Sequence, residues 1–152
     1  MRDDRRVSEY EFSADPARLD PEWIHATLQR HSYWAQDRTR ETQEAANRGS
    51  RCFGVYATGT GRQVAFARLV TDGAIFGWLA DVIVDPEHRG HGLGKLIVDG
   101  VVREADRLGL KRTVLMTNDA HTLYARHDWE PVAPAENWLV RWRADARHPQ
   151  PR

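Results

Sequence analysis

The chain has 152 residues, of which 41% are hydrophobic and 29% charged, as is typical of a single globular domain. Its 22 basic and 22 acidic side chains cancel, which argues against a strongly basic nucleic-acid binder. No apolar stretch approaches the ~18 residues that span a bilayer, and no secretory signal is visible. The single cysteine, Cys52, cannot form an intrachain disulfide and is expected to be a small buried residue. We therefore expect a cytoplasmic protein without a membrane or nucleic-acid partner.

The first half of the chain predicts two helices followed by antiparallel strands. Residues 7–13 favour a strand, and Asp20 before Pro21 is a typical helix start, because aspartate caps helices and proline suits their first position. A polar helix is predicted over residues 39–48, before Gly49. Between residues 51 and 85, β-branched and aromatic runs alternate with glycine-containing turns, which is typical of hairpins.

The second half predicts further helices and strands. Apolar residues recur at helical spacing from Gly92 to Leu108, and residues 111–117 favour a buried strand. Asn118 or Asp119 is expected to cap a helix that reaches about residue 127. In residues 137–143, alternating side chains predict a strand, and its tryptophan face is a candidate dimer surface. The predicted fold class is α/β, a mixed sheet flanked by helices, with one domain over residues 1–144 and a flexible tail over 145–152.

The segment DVIVDPEHRGHGLGKLIV, residues 81–98, runs from a strand through a glycine-rich loop into a helix. Gly90, Gly92 and Gly94 allow backbone N–H groups to converge, and the helix N-terminus adds further donors. Arg89 and Lys95 add positive charge, so a phosphate or pyrophosphate is the expected ligand. Neither the Walker spacing nor the dinucleotide fingerprint fits, because both place Lys95 where a glycine belongs. His88 and His91 lack a third partner nearby in sequence, so we expect no metal.

Two motifs resemble the GNAT superfamily of N-acetyltransferases. Residues 89–94, Arg-Gly-His-Gly-Leu-Gly, look like its coenzyme A pyrophosphate motif, and LYARHDWEPV, residues 123–132, resembles its second signature. Asp128 replaces the usual glycine there, which a left-handed turn tolerates. The resemblance covers about residues 50–133, and SYWA-x-x-R, residues 32–38, resembles a poorly characterised bacterial subgroup. It implies a central mixed, mostly antiparallel sheet and acetyl-CoA as cosubstrate.

The resemblance also implies a division of the site. The cofactor pyrophosphate would lie on the loop, and its pantetheine arm would pair with the strand before it, which splays from the strand over residues 113–117. Asn118 would contact the pantetheine arm or merely cap a helix, and the acceptor would lie against the segment between the first two helices. The implied cofactor-binding residues are Val82, Ile83, Val84, Arg89, Gly90, His91, Gly92, Leu93, Gly94, Lys95 and Asn118. The implied acceptor-binding residues are Tyr33, Trp34 and Arg38.

Acetyl transfer to an amine needs a neutral nucleophile, an oxyanion donor and a proton for the departing thiolate. Strand N–H groups near Ile83 could supply the donor, and Tyr124 matches the tyrosine acid of the family. Asp81 is the first candidate for the base: strand alternation places it on the face of Leu79 and Ile83, where apolar neighbours would raise its pKa. His121, one helical turn before Tyr124, is the second, and water is the third option.

The sequence therefore predicts an acetyl-CoA-dependent N-acetyltransferase that acts on a primary amine by direct attack. The acceptor is a small molecule or a peptide, and a homodimer is compatible with the pattern. Two alternatives stay open: a noncatalytic acyl-CoA-binding regulatory module, and a domain that holds another phosphate. Cofactor binding without transfer would indicate the former, and a failure of coenzyme A to compete would indicate the latter.

Overall fold

The computed structural model describes residues 9 to 146 of the chain. Its strands are β1 (Tyr10–Ser13), β2 (Arg51–Ala57), β3 (Gln63–Thr71), β4 (Phe76–Val84) and β5 (Arg112–Val114). Its α-helices are α1 (Pro21–His31), α2 (Arg40–Arg48), α3 (Leu93–Leu108) and α4 (His121–Ala125). Short 3₁₀ turns lie at Pro16–Arg18, Pro86–His88 and Ala135–Asn137. No helix in this part of the chain is long and apolar enough to cross a membrane.

The chain divides into two compact units, one that ends at Met116 and one that begins at Thr117. The first holds the whole sheet together with α1, α2 and α3, and the second holds α4. The predicted single domain over residues 1–144 stays a prediction. Of its predicted tail, residues 147–152 lie outside the described residues.

The sheet has five strands in the order β1-β2-β3-β4-β5. Every neighbouring pair is antiparallel except β4 and β5, which are parallel. This architecture confirms the predicted fold class, a mixed and mostly antiparallel sheet flanked by helices. The last strand is shorter than the predicted run over residues 111–117, because only Arg112–Val114 pairs with Phe76–Trp78. The pairing ends at Trp78 and Val114, and the predicted splay of the two strands stays a prediction.

Local signals place the first two helices where the sequence predicts them. The Asp20 carboxylate accepts the backbone N–H of Trp23 at 3.0 Å, and Thr39 accepts that of Thr42 at 3.1 Å. Each bond satisfies one of the donors left over at a helix start. On the other side of the sheet, Gly100 in α3 leaves room for Phe12, since a Cβ there would lie 2.1 Å from its ring. A small residue in mid-helix thus lets α3 pack closely on β1.

The second unit departs from two predictions. Its helix α4 begins at His121 after Ala120, so neither Asn118 nor Asp119 is the cap. Residues 138–143 form no strand, and Leu139 and Val140 are 93% and 69% exposed. Alternation of side chains predicts a strand only where a neighbouring strand takes up the backbone hydrogen bonds. Among the described residues, no strand of the sheet pairs with this segment.

Candidate functional site

A β-bulge interrupts β4 at Asp81. The pairing with β3 runs from Phe66 opposite Ile83 to Arg68 opposite Ala80, so β4 contains one extra residue there. Asp81 itself has a φ of 56°, a left-handed conformation that aspartate tolerates better than most residues. The bulge resets the alternation of the strand. Leu79 consequently lies opposite Leu69, on the other face from the Asp81 carboxylate, and the predicted shared face of Leu79 and Asp81 is wrong.

The Asp81 side chain, only 1% exposed, is the centre of a charged cluster. Its Oδ1 accepts the indole N–H of Trp34 at 2.8 Å. Its Oδ2 accepts N–H groups from Arg38 at 2.8 Å and Arg68 at 2.6 Å, with the Gln43 amide at 3.2 Å. Four donors thus saturate one carboxylate. We call these five residues the Asp81 cluster.

The electrostatics of the cluster correct the expectation of a raised pKa. Burial acts to raise the pKa of Asp81, as the sequence argument assumed. The charges and hydrogen bonds of Arg68 and Arg38 outweigh burial, so the pKa lies below its ordinary value. A carboxylate that stays ionised and is fully hydrogen-bonded is a weak proton acceptor. The apolar environment on which its proposed role as a base depended is absent.

Two members of the cluster, Arg68 and Gln43, were not predicted from the sequence. Arg68 interrupts the apolar run from Val64 to Val70, and an arginine in such a run is a signal, because charged residues are rarely buried without a partner. Gln43 is the buried residue of the polar helix α2, and no pattern in the sequence distinguishes it from its neighbours. Trp34 and Arg38, predicted to contact the acceptor, hold Asp81. Tyr33 stays 51% exposed and packs edge-on against Trp34, with ring centroids 4.9 Å apart.

In the glycine loop, residues 89–95, two of the three predicted glycines have a turn conformation, whereas Gly94 already lies in the first turn of α3. Gly90 and Gly92 have φ values of 84° and 76°, a region that strongly favours glycine. A Cβ at either position would meet nothing within 4 Å, so backbone conformation alone requires glycine here. Gly92 caps α3 without any side-chain hydrogen bond, which leaves the N–H groups of the first turn for a ligand. The cationic Arg89 and Lys95 are exposed beside them.

Neighbouring contacts hold the loop in place. The Asp85 carboxylate accepts the Glu87 N–H at 2.9 Å and starts the turn before the loop. Tyr10 hydrogen-bonds His88 at 3.1 Å and packs on the ring of His91, with centroids 5.9 Å apart. Buried Leu93 anchors α3 to the core. Over residues 9–146, no group of three or more histidine, cysteine or acidic side chains is placed to hold a metal ion.

Beyond Trp78, no described strand pairs with β4 on the side away from β3. The Asp85 N–H donates to Val64 at 2.8 Å, so Asp85 and Val64 form a hydrogen-bonded pair with β3. In an antiparallel ladder such pairs alternate with pairs whose polar groups point away. The N–H and C=O of Val84 therefore point away from β3, toward the side on which β5 pairs with the start of β4. Val82 and Ile83 precede it on the same stretch, which was predicted to pair with an extended ligand.

The second unit carries the other predicted residues. Tyr124 is buried in α4, and its ring meets that of Trp129 edge-on at 5.7 Å. His121 begins the helix, and Asn118 lies in the turn before it. Asp128 has a φ of 70°, which confirms that it occupies the left-handed turn where a glycine was expected.

The predicted burial of Cys52 is confirmed, since the residue is buried in β2. That burial raises the pKa of its thiol to about 11. Its sulfur lies 3.4 Å from the carbonyl of Asn47. A thiol with so high a pKa carries almost no thiolate near neutral pH, so it is a poor nucleophile.

Comparison with known proteins places these features among acetyltransferases. The sequence profile of the acetyltransferase (GNAT) family matches residues 12–129. A Gibberella zeae protein described as a candidate acetyltransferase is 34% identical over 138 residues, 78% of this chain and 77% of its own. A candidate GNAT acetyltransferase from Xanthomonas campestris is 41% identical, with a TM-score of 0.82 over 88% of this chain and 92% of its own. Rv2747 from Mycobacterium tuberculosis, solved with CoA, shares the fold at 23% identity, with a TM-score of 0.63 over 83% of this chain and 77% of its own.

Proposed function

The chain belongs to the acetyltransferase (GNAT) family and is an N-acetyltransferase, and from this we propose that it moves the acetyl group of acetyl-CoA directly to a primary amine. The observation that carries the proposal is the junction of β4 and α3. There, a strand edge that no described strand pairs with leads into a loop with two left-handed glycines and a helix start without a side-chain cap. Such a junction suits a ligand with an extended amide arm and a pyrophosphate, which is the chemistry of coenzyme A.

The cofactor would bind in two parts. Backbone N–H groups of Gly92, Gly94 and Lys95 would hold the pyrophosphate, with Arg89 as a charged partner. Polar groups at the edge of Val82–Val84 would pair with the pantetheine arm. Asn118 is a further candidate contact to that arm, and His91 is a candidate contact to the phosphates.

The reaction then requires one bond to form and one to break. The amine nitrogen attacks the thioester carbonyl, the C–N bond forms, and the oxyanion accepts a hydrogen bond from a strand N–H such as that of Val84. Collapse of this intermediate breaks the C–S bond, and Tyr124 gives the leaving thiolate its proton. The amine loses its proton to His121 or to water, because the saturated Asp81 carboxylate is a weak base.

The first experiment measures thiol release from acetyl-CoA against a panel of amines, beside calorimetric titration of CoA into the same preparation. We expect CoA to bind and thiol to appear only when an amine is present. Binding without release for every amine would favour the regulatory module. An absence of CoA binding would overturn the assignment of the glycine loop.

A tyrosine variant tests the proposed acid. Tyr124→Phe removes the hydroxyl and keeps the ring, so we expect kcat to fall about 100-fold while the Kd of CoA changes little. Tyr56→Phe is the matched control, because the buried Tyr56 hydroxyl has no hydrogen-bond partner among the described residues. Turnover of Tyr124→Phe equal to that of the control, at saturating substrates, would remove Tyr124 as the acid.

A further inference from the structure

The Asp81 cluster carries more positive than negative charge. Two guanidinium groups, of Arg38 and Arg68, form ion pairs with the single Asp81 carboxylate. Among the described residues, no second acidic side chain pairs with either arginine. The other members, Trp34 and Gln43, are uncharged. One positive charge therefore remains uncompensated around a buried carboxylate.

Both arginine side chains keep part of their surface open to solvent. The side chains of Arg38 and Arg68 are 21% and 14% exposed, so both are largely sheltered but neither is closed off. Both donate to the same oxygen of Asp81, which holds the two like charges close together. Arg68 uses Nε and one terminal nitrogen in hydrogen bonds, and Arg38 uses one terminal nitrogen. Within residues 9–146, the second terminal nitrogen of each guanidinium makes no hydrogen bond.

The cluster also sits beside the proposed reaction site. Asp81 occupies the bulge immediately before Val82, where β4 begins the stretch proposed to pair with the cofactor arm. Trp34 and Arg38 come from the segment between α1 and α2, and Trp34 supports the exposed ring of Tyr33. A ligand beside Asp81 would meet an aromatic surface together with two guanidinium groups that each keep one terminal nitrogen without a hydrogen bond among the described residues.

We propose that Arg38 and Arg68, fixed by Asp81, bind a carboxylate carried by the acceptor, so that the substrate is a small amine that also bears a carboxylate group. The inference rests on the proposed function, because it names the acceptor of that reaction. Guanidinium groups match carboxylates in shape and hydrogen bonding, and partial burial strengthens the attraction. The net charge of the cluster balances a single carboxylate, whereas a phosphate monoester carries nearly twice that charge. Asp81 is a positioning residue in this arrangement.

The experiment compares matched acceptors in the thiol-release assay. The probes are the standard L-amino acids that carry a primary amine and no thiol, together with β-alanine and γ-aminobutyrate, each beside its carboxamide, and phosphoethanolamine beside ethanolamine. For the best carboxylate acceptor we expect a kcat/KM about 10- to 100-fold above that of its carboxamide, since hydrogen bonds to a charged group are worth that much. Equal rates for the pair, or a preference for phosphoethanolamine, would overturn the proposal.

A variant tests whether the arginines are responsible. Arg38→Gln should raise KM for the carboxylate acceptor about 10- to 100-fold and change KM for the carboxamide little, whereas a structural defect would impair both. Arg40→Gln, on the exposed start of α2, is the matched control. Equal losses on both acceptors would contradict the assignment.

The two proposals fail in different ways. Transfer to uncharged amines alone would keep the acetyltransferase assignment and overturn the carboxylate site. If no amine is acetylated, the proposed reaction fails, and calorimetry of the same amino acids against the CoA-loaded protein tests the site alone. Binding of an amino acid that is lost in Arg38→Gln would then support the site, and no binding would overturn it.

Discussion

The Asp81 cluster is centred on β4 and the glycine loop follows the end of that strand, yet the two use different chemical groups. The loop comprises seven consecutive residues, is largely exposed, and works through backbone N–H groups and glycine conformations. The cluster joins five residues spread from position 34 to 81, is mostly buried, and works through side-chain charge. A site for a constant group can use a backbone motif, because every residue supplies the same donor. A site for a variable group needs particular side chains brought together.

The largest loss of stability is expected when the central charge of the Asp81 cluster is removed. Asp81→Asn keeps the shape and tolerates the left-handed φ, but leaves two partly buried guanidiniums without a counter-charge. We expect the free energy of unfolding to fall by about 3 kcal/mol in urea titrations. Asp37→Asn, at an exposed carboxylate without an ion pair among the described residues, should change it by less than about 0.5 kcal/mol. Equal stability of the two variants would show that the cluster does not support the fold.

Lowering the pH provides a second test of the Asp81 charge. Because the folded pKa of Asp81 lies below its unfolded value of about 3.9, the carboxylate stabilises the fold fully above that pH and loses its contribution as pH falls further. The stability difference between wild type and Asp81→Asn should therefore stay constant from about pH 7 to 5 and shrink below about 4. Urea titrations of both proteins over this range measure it. A difference that instead grows as the pH falls from about 7 to 4 would mean that the pKa is raised.

A smaller effect is expected where the loop conformation requires glycine. Gly92→Ala forces a Cβ into a left-handed backbone, so the free energy of unfolding should fall by about 1–2 kcal/mol and CoA should bind more weakly. Gly59→Ala is the matched control, because Gly59 also has open space around a Cβ but no positive φ. If both variants unfold alike, the loop conformation is not what glycine secures.

The smallest effect on the fold is expected at the rim of the loop. Arg89→Ala removes an exposed charge, so stability should change by less than about 0.5 kcal/mol while the Kd of CoA rises about 10-fold. Calorimetric titration measures the affinity, with Arg48→Ala as an exposed control away from the loop in sequence. Full CoA affinity in Arg89→Ala would contradict the role of this residue.

The sequence by itself determined the features that depend on neighbouring residues. Asp20 and Thr39 start their helices as predicted, because a helix cap involves only residues two or three positions apart. The glycine loop could also be predicted from the sequence, because left-handed glycine positions and a helix start depend only on a short segment. The left-handed turn at Asp128 could be predicted for the same reason, because it depends on the backbone conformation of that residue.

Only the tertiary structure decided what depends on distant partners. The bulge that turns Asp81 away from the face of Leu79 arises from its pairing with β3, and no local pattern announces it. The predicted strand over residues 137–143 failed because alternation does not supply a paired neighbour. The pKa of Asp81 moved in the opposite direction to that expected, because it depends on charges 13 and 43 residues away. Electrostatic energy follows distance in space, and the fold alone determines which charges meet.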